Sequence, residues 1–334
     1  MAAKSGNSHV NVGNAHLRRA QINKNDEFYT TAYDARKFLG SCADYFADKT
    51  VYCNCDDPEE SEIAKYFIRN FAKLKLKGLF CTYYRQNPEI KAYKYYYNGA
   101  KMRRKEIAGN GSFDSAEFAE IYNKIDIIVT NPPFSLAGKF VQFLLNKNIK
   151  FLIISNINIA NNYLTTPCFE NGVLHFCCDT KDRPRTFVMP CYCTGNKTKE
   201  GKPIIRMGVT AWLTNTEIDK RRKYVSLTKF DKNEHKTFDN WRYCVNINRL
   251  SQLPCDYEGL IAVPITILYK PVAGFLFLCF VGGKQGRKEG RIKPYIQQNG
   301  KQIYTRCLVL KTHGGGGMEG KNSAKIYHNF QAKE

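Results

Sequence analysis

Residues 125–130 read IDIIVT, an apolar run rich in β-branched side chains, and the run ends abruptly at Asn131-Pro132-Pro133-Phe134. β-Branched residues favour strands, and two consecutive prolines lack the N–H groups that a continuing strand would need, so the polar tetrapeptide sits at a strand end. The same texture surrounds it. TVYC at residues 50–53 is a first strand, followed by the polar NCDDPEES and a helix over residues 62–75 in which Ile63, Tyr66, Phe67, Phe71 and Leu74 recur at helical spacing. GLFCTYY from Gly78 is a second strand, residues 136–145 a second amphipathic helix with Phe140, Phe143 and Leu144 along it, and FLIIS at residues 151–155 a further strand. Short apolar runs alternating with amphipathic helices between about residues 49 and 155 define a layered α/β domain.

Beyond about Asn161 the chain changes to short apolar runs with frequent Pro and Gly, the mark of a β-rich or irregular region. Residues 260–283 are the nearest approach to a membrane span, but Pro264, Lys270 and Pro271 break them into two short runs that read as buried strands. GGGG at residues 314–317 and the basic residues after it read as a flexible tail over 313–334.

Charge narrows the partner. The 334 residues carry 51 Lys and Arg against 30 Asp and Glu, a formal net charge of +21, which favours a polyanion such as nucleic acid over a merely soluble basic surface. Hydrophobic residues at 43% and charged residues at 24% exclude a mainly disordered or coiled-coil chain. The first residues lack the apolar core of a secretory signal, and the 13 cysteines read as reduced thiols, so a cytoplasmic location and no membrane partner are expected. Cys177, Cys178, Cys191 and Cys193 lack the two separated pairs of a zinc site, and no metal is expected.

The Asn-Pro-Pro-Phe turn carries the chemistry. An Asn side-chain oxygen and a following Pro carbonyl can accept both hydrogens of a planar exocyclic amine, while an aromatic ring beside them stacks on the attached base. Two aimed acceptors favour the pyramidal, developing-cation geometry in which such an amine attacks a methyl group, with no strong base required. S-adenosyl-L-methionine is the expected methyl donor. Taken alone, the tetrapeptide is equally a proline turn capping a strand; its place between a strand and a helix at the carboxyl end of an α/β layer favours the site.

Several segments together resemble the EcoRI-type adenine-specific DNA methyltransferase family over residues 25–310: NDEFYT at 25–30, VYCNCDDPEES at 51–61, IDIIVTNPPFSL at 125–136, KFLIISNIN at 150–158, DTKDRPRTFVMP at 179–190, WLTN at 212–215 and DYEGLIAVPITIL at 256–268. The resemblance implies a Rossmann-like S-adenosylmethionine-dependent core with a β-rich C-terminal recognition region. It implies a basic arm over 1–24, a catalytic core over 25–160, and a recognition region over 161–312 that also helps complete the core sheet. By the same resemblance Asn131 and the Pro132 carbonyl accept from the amine, Pro133 holds the turn and Phe134 stacks on the base. Asp26, Phe28, Tyr29 and Thr30 fold back over the donor site, which also includes Cys53, Asn54, Asp56 and Asp57. NCDDP stands where such enzymes carry a glycine-rich loop, and carboxylates there suit the amine of the donor's amino acid part; Asp56-Asp57-Pro58 reads equally as an acidic helix start. GNGSF at 109–113 replaces a more acidic family stretch, leaving Phe113 to stack on the donor's adenine.

A duplex hides its adenine amine, so the target must be flipped, at a cost of about a few kcal/mol that basic contacts offset. Arg18, Arg19, Arg103, Arg104, Arg221, Arg222 and Arg287 are the candidate phosphate contacts. YKYYY at 93–97 reads as a half-buried edge strand or a stacking surface. The expected partner is double-stranded DNA, with either a companion restriction endonuclease or a solitary phage- or host-type setting. Amino-methylation of RNA or of a protein Gln, and a degenerate DNA-binding member, are the alternatives.

Overall fold

The computed structural model describes residues 28–82, 92–179, 181–189, 196–197, 201–283, 293 and 295–312. The expected arm over 1–24, the tail over 313–334, Arg18, Arg19, Asp26, Arg287, Cys191 and Cys193 lie outside the described residues. The chain is mixed α/β with large multi-stranded sheets, divided into two compact units whose segments interleave. Of the described residues, those within 28–140, 153–156 and 184–210 form the first unit, and those within 141–152, 157–183 and 211–312 the second.

In chain order the first unit's elements begin with β1 (Tyr29–Thr30), α1 (Ala32–Ser41), β2 (Thr50–Cys53), α2 (Glu62–Arg69), β3 (Gly78–Thr82), β4 (Ala92–Tyr97) and β5 (Met102–Ile107). α3 (Ala119–Tyr122), β6 (Ile127–Thr130), the start of α4 (Ala137–Asn146) and the end of β7 (Phe151–Asn156) follow. Its sheet runs β5-β4-β3-β2-β6-β7, with β2 parallel to both β3 and β6. All four residues of β6 are buried, as a strand at the centre of a covered parallel sheet requires.

α2 starts where Ser61 accepts from the N–H groups of Ile63 and Ala64, at 3.2 and 3.3 Å, and buries Ile63, Ala64, Tyr66 and Phe67. It stops at Arg69, short of the expected Lys75. The Asn70 side chain donates to the Tyr66 carbonyl at 2.8 Å, and Lys75 adopts a φ of 51°, so Phe71 and Leu74 reach the core from turns. α4 is shifted by one residue from the expected 136–145.

The tyrosine-rich stretch forms β4, which is half-buried but not an edge. β5 pairs along its outer side and becomes the edge strand. Four charged residues in MRRKEI hide β5 from hydrophobic patterning, while charge on an edge strand discourages pairing with another chain.

A second sheet in this unit pairs β1 antiparallel with the strand Thr186–Val188, placing Thr30 opposite Phe187. Thr186–Val188 also pairs with Pro203–Arg206, which pairs with Asn196–Lys197. Asp34, buried in the first turn of α1, fastens this sheet: one carboxylate oxygen accepts from the backbone N–H groups of Arg185 and Thr186, at 3.0 and 3.1 Å.

The second unit is dominated by strands and irregular segments. Five of its strands lie in the order Thr237–Phe238, Trp241–Asn246, Leu260–Pro264, Arg306–Lys311, Phe275–Val281, around Phe238, Trp241, Leu260, Leu278 and Leu308. The apolar stretch over 260–283 thus becomes two strands, the second only half-buried. No helix among the described residues is long and apolar enough to cross a membrane.

Asp34→Ala leaves two backbone donors without their charged acceptor, so it should destabilise the protein by about 2–3 kcal/mol in urea unfolding. An unchanged midpoint would show that water replaces the carboxylate at no cost.

Candidate active site

The chain leaves β2 for β3 on one side and later returns to β6 on the other side of β2. The crevice at such a reversal, beyond the carboxyl ends of the strands, is where open α/β sheets bind ligands. Two loops emerge there side by side, residues 54–58 after β2 and residues 131–134 after β6.

Asp56 joins them. Its carboxylate accepts from the hydroxyls of Ser61 at 2.5 Å and Thr130 at 2.6 Å and from the backbone N–H of Asn131, while its own N–H donates to the Thr82 carbonyl at 2.8 Å. The Thr130 hydroxyl also accepts from the Cys55 N–H at 3.0 Å. Asp56 is only 5% exposed, and burial pushes its carboxyl up to about 6 against the downward pull of Ser61, Thr130 and the Asn131 N–H. The sequence reading placed this carboxylate on a ligand's amine. In the structure both oxygens are engaged inside the protein, and Asp56 positions the catalytic-turn candidate from behind.

Asn131 is oriented by its other neighbour. Its side-chain N–H donates to the Phe28 carbonyl, which can only accept, so the amide nitrogen faces Phe28 and the oxygen points away. That oxygen is buried and has no hydrogen-bond partner among the described residues. The Thr30 hydroxyl, two residues beyond Phe28, is the same. Phe134 lies 6.0 Å from Phe28 with the rings 26° apart, and meets Phe187 edge-on at 6.1 Å. Pro132 is buried, and the Pro133 carbonyl accepts from the Leu136 N–H at 3.0 Å to turn the chain into α4.

The other expected donor-site residues spread over four settings. Asn54 is buried; its amide donates to the hydroxyls of Tyr52 at 3.0 Å and Tyr122 at 3.4 Å. Tyr122 in turn donates to the Phe113 carbonyl at 2.5 Å, and the half-buried Phe113 ring meets Phe140 edge-on at 5.0 Å, so Asn54 and Phe113 share one cluster. Cys53 is fully buried opposite Cys81, and burial together with that thiol pushes its own thiol up. Asp57 begins a helical turn, accepting from the Glu59 N–H at 2.9 Å through its side chain, and Tyr29 is half-buried in β1.

Arg103 and Arg104 are exposed on β5, with the Arg104 guanidinium 4.5 Å over the Tyr93 ring. In the second unit Arg221 is not a free phosphate contact. Its guanidinium pairs with Asp219 at 2.8 and 2.5 Å and donates to the Leu268 carbonyl at 2.7 Å. Arg222 is 74% exposed and 3.6 Å from Asp179. No group of metal-ligating side chains occurs among the described residues. Ser61, Thr130, Tyr122 and Phe187 were missed in the sequence. Thr130 alone had a local signal, as the last residue of the strand that meets Asn131.

A fold with its crevice at a strand-order reversal, and an oriented Asn in an Asn-Pro-Pro-Phe turn there, defines a class of amine-modifying enzymes. A family described as adenine-specific methyltransferase EcoRI matches residues 16–311. Type II methyltransferase M.EcoRI of Escherichia coli is 35% identical over 324 residues, 90% of this chain and 97% of the relative. Type II methyltransferase M.MgeORF184P of Mycoplasma genitalium is 29% identical over 315 residues, covering 89% and 98%, and M.MpnI of Mycoplasma pneumoniae 28% over 313, covering 88% and 97%. No solved structure matches the chain significantly. The chain belongs to the EcoRI family of adenine-specific methyltransferases.

Between about pH 4 and about pH 6 the folded protein keeps a proton on Asp56 that the unfolded chain has released, so stability falls as pH rises through that window and levels off above it. Asp56→Asn cannot ionise and should flatten this part of a urea-unfolding pH profile, a difference of at most about 3 kcal/mol. Parallel profiles for the two proteins would contradict a buried ionising carboxylate.

Proposed function

We propose that the chain transfers a methyl group from S-adenosyl-L-methionine to the exocyclic N6 amine of an adenine flipped out of duplex DNA. The observation that carries this reading is the Asn131 side-chain oxygen, buried, without a hydrogen-bond partner among the described residues, and oriented by the bond of its amide nitrogen to the Phe28 carbonyl. A buried acceptor without a donor is costly, and an amine entering the site supplies the missing hydrogen. The match to adenine-specific enzymes over most of the chain supports adenine as the base.

The donor fits the residues present. Thr30, two residues beyond Phe28, contributes a second buried polar atom without a partner among the described residues, and the cluster of Asn54 on the loop after β2 with Tyr122 and Phe113 supplies amide, hydroxyl and ring. Bound there, the donor supplies an electrophilic methyl group on a sulfonium. Asn131 and the Pro132 carbonyl accept from the amine hydrogens, so positive charge developing on nitrogen meets fixed dipoles. Pro133 fixes the turn. Phe134 presents a ring for the base, and Asp56 holds Thr130 and Asn131 in register with the loop after β2.

The β3-β2-β6-β7 layer, with β2 parallel to both β3 and β6, is the Rossmann-like part of the molecule in this reading, and the strands after residue 160 serve recognition. Exposed Arg103, Arg104 and Arg222 contact phosphates, together with the basic segments around Arg18, Arg19 and Arg287.

Asn131→Ala should lower methyl transfer to duplex DNA by about 10²–10³-fold. Calorimetry should find S-adenosyl-L-methionine binding within about twofold of wild type. Wild-type transfer by this variant would overturn the assignment.

A further inference from the structure

On one face of the first unit's sheet, the edge hairpin and α3 enclose a groove of about 470 Å³. None of its lining residues belongs to either loop of the candidate active site. Strand register explains its chemistry. Side chains alternate between faces, so Lys94 and Tyr96 of β4 share this face with their cross-strand partners Lys105 and Arg103 of β5. Phe80 of β3 lies opposite Tyr96 on the same face, with the rings 4.8 Å apart and tilted by 39°. Both rings are half-buried, so the groove has an aromatic floor that a planar group can reach.

Lys94 and Lys105 stand directly opposite each other, an arrangement that destabilises a β pair. Among the described residues neither has a carboxylate partner, nor does Arg103. Glu106 points to the other face, and the groove's one acid, Glu120 on α3, is 4.0 Å from Lys124 in the turn that follows the helix. An anion between them would relieve the repulsion of this like-charge pair, beside an aromatic floor that a planar group can reach. A phosphate alone would use the cations and leave the rings idle, whereas a nucleotide uses both.

We propose that this groove binds a nucleotide outside the catalytic pocket, its phosphate among Lys94, Arg103 and Lys105 and its base against Tyr96 and Phe80. The nucleotide is either an unstacked unit of the substrate strand or a free mononucleotide. The inference deepens the DNA reading above and rests on it only for the first of these sources.

The test uses the full-length protein, wild type and Lys105→Glu. The reversal sets a carboxylate opposite Lys94, so the thermal midpoint should hold or rise, and S-adenosyl-L-methionine binding by calorimetry should stay within about twofold. Fluorescence anisotropy with a labelled single-stranded oligodeoxynucleotide should show binding weakened about tenfold or more by the substitution. An oligonucleotide of abasic units should bind wild type more weakly than the normal one and lose less on substitution. Adenosine monophosphate whose calorimetric binding is lost in Lys105→Glu identifies the free nucleotide as occupant; oligonucleotide binding lost without any monophosphate binding identifies the strand. If Lys105→Glu binds both probes as wild type does, or if the abasic and normal oligonucleotides behave alike in both proteins, the nucleotide groove is overturned. Methylation of duplex DNA measured on the same samples reports separately on the proposed function.

Discussion

A carboxylate can be kept inside a sheet only if hydrogen bonds replace its water, and Asp56 meets that condition with three donors from two stretches of chain: Ser61 at the start of α2, and the Thr130 hydroxyl at the end of β6 with the Asn131 N–H next to it. The two stretches lie far apart in sequence. Satisfying one buried charge therefore fixes the loop after β2 against the turn after β6, the relation any transfer between ligands on the two loops requires. A glycine-rich loop achieves closeness by lacking side chains; here a buried side chain holds the two loops together.

The second constraint comes from the N-terminal side of the unit. The Phe28 carbonyl orients the Asn131 amide, and the Phe28 and Phe187 rings flank Phe134. Phe28 and Phe187 are themselves set by the pairing of β1 with Thr186–Val188, which Asp34 fastens through two backbone N–H groups. The turn is thus held by one buried carboxylate directly and by another through β1 and Thr186–Val188, and the Asn131 oxygen has no partner among the described residues.

Much of this was legible in the sequence, and the remainder shows where patterning stops. IDIIVT announced β6 because a central parallel strand is apolar throughout, and Asn131 to Phe134 were marked by proline chemistry. β5 was invisible because an edge strand is free to carry charge, and only its pairing turned YKYYY from an edge into an inner strand. Asp56 looked like a ligand contact because sequence shows a carboxylate but not the hydroxyls, one of them 74 residues away, that engage it. Arg221 read as a phosphate contact for the same reason, since the Leu268 carbonyl that helps hold it is 47 residues distant. Nor does periodicity reveal that the described residues within 184–210 return to the first unit.

The central claim is that Asn131 presents its oxygen to the amine of adenine in DNA. The most direct test gives the wild-type protein S-adenosyl-L-methionine with a labelled methyl group together with duplex DNA, then digests the DNA to nucleosides and separates them. The account predicts label in N6-methyladenosine of the deoxy series alone. Label in N4-methylcytosine, or DNA that stays unlabelled while RNA or protein in parallel reactions takes the methyl group, would contradict it.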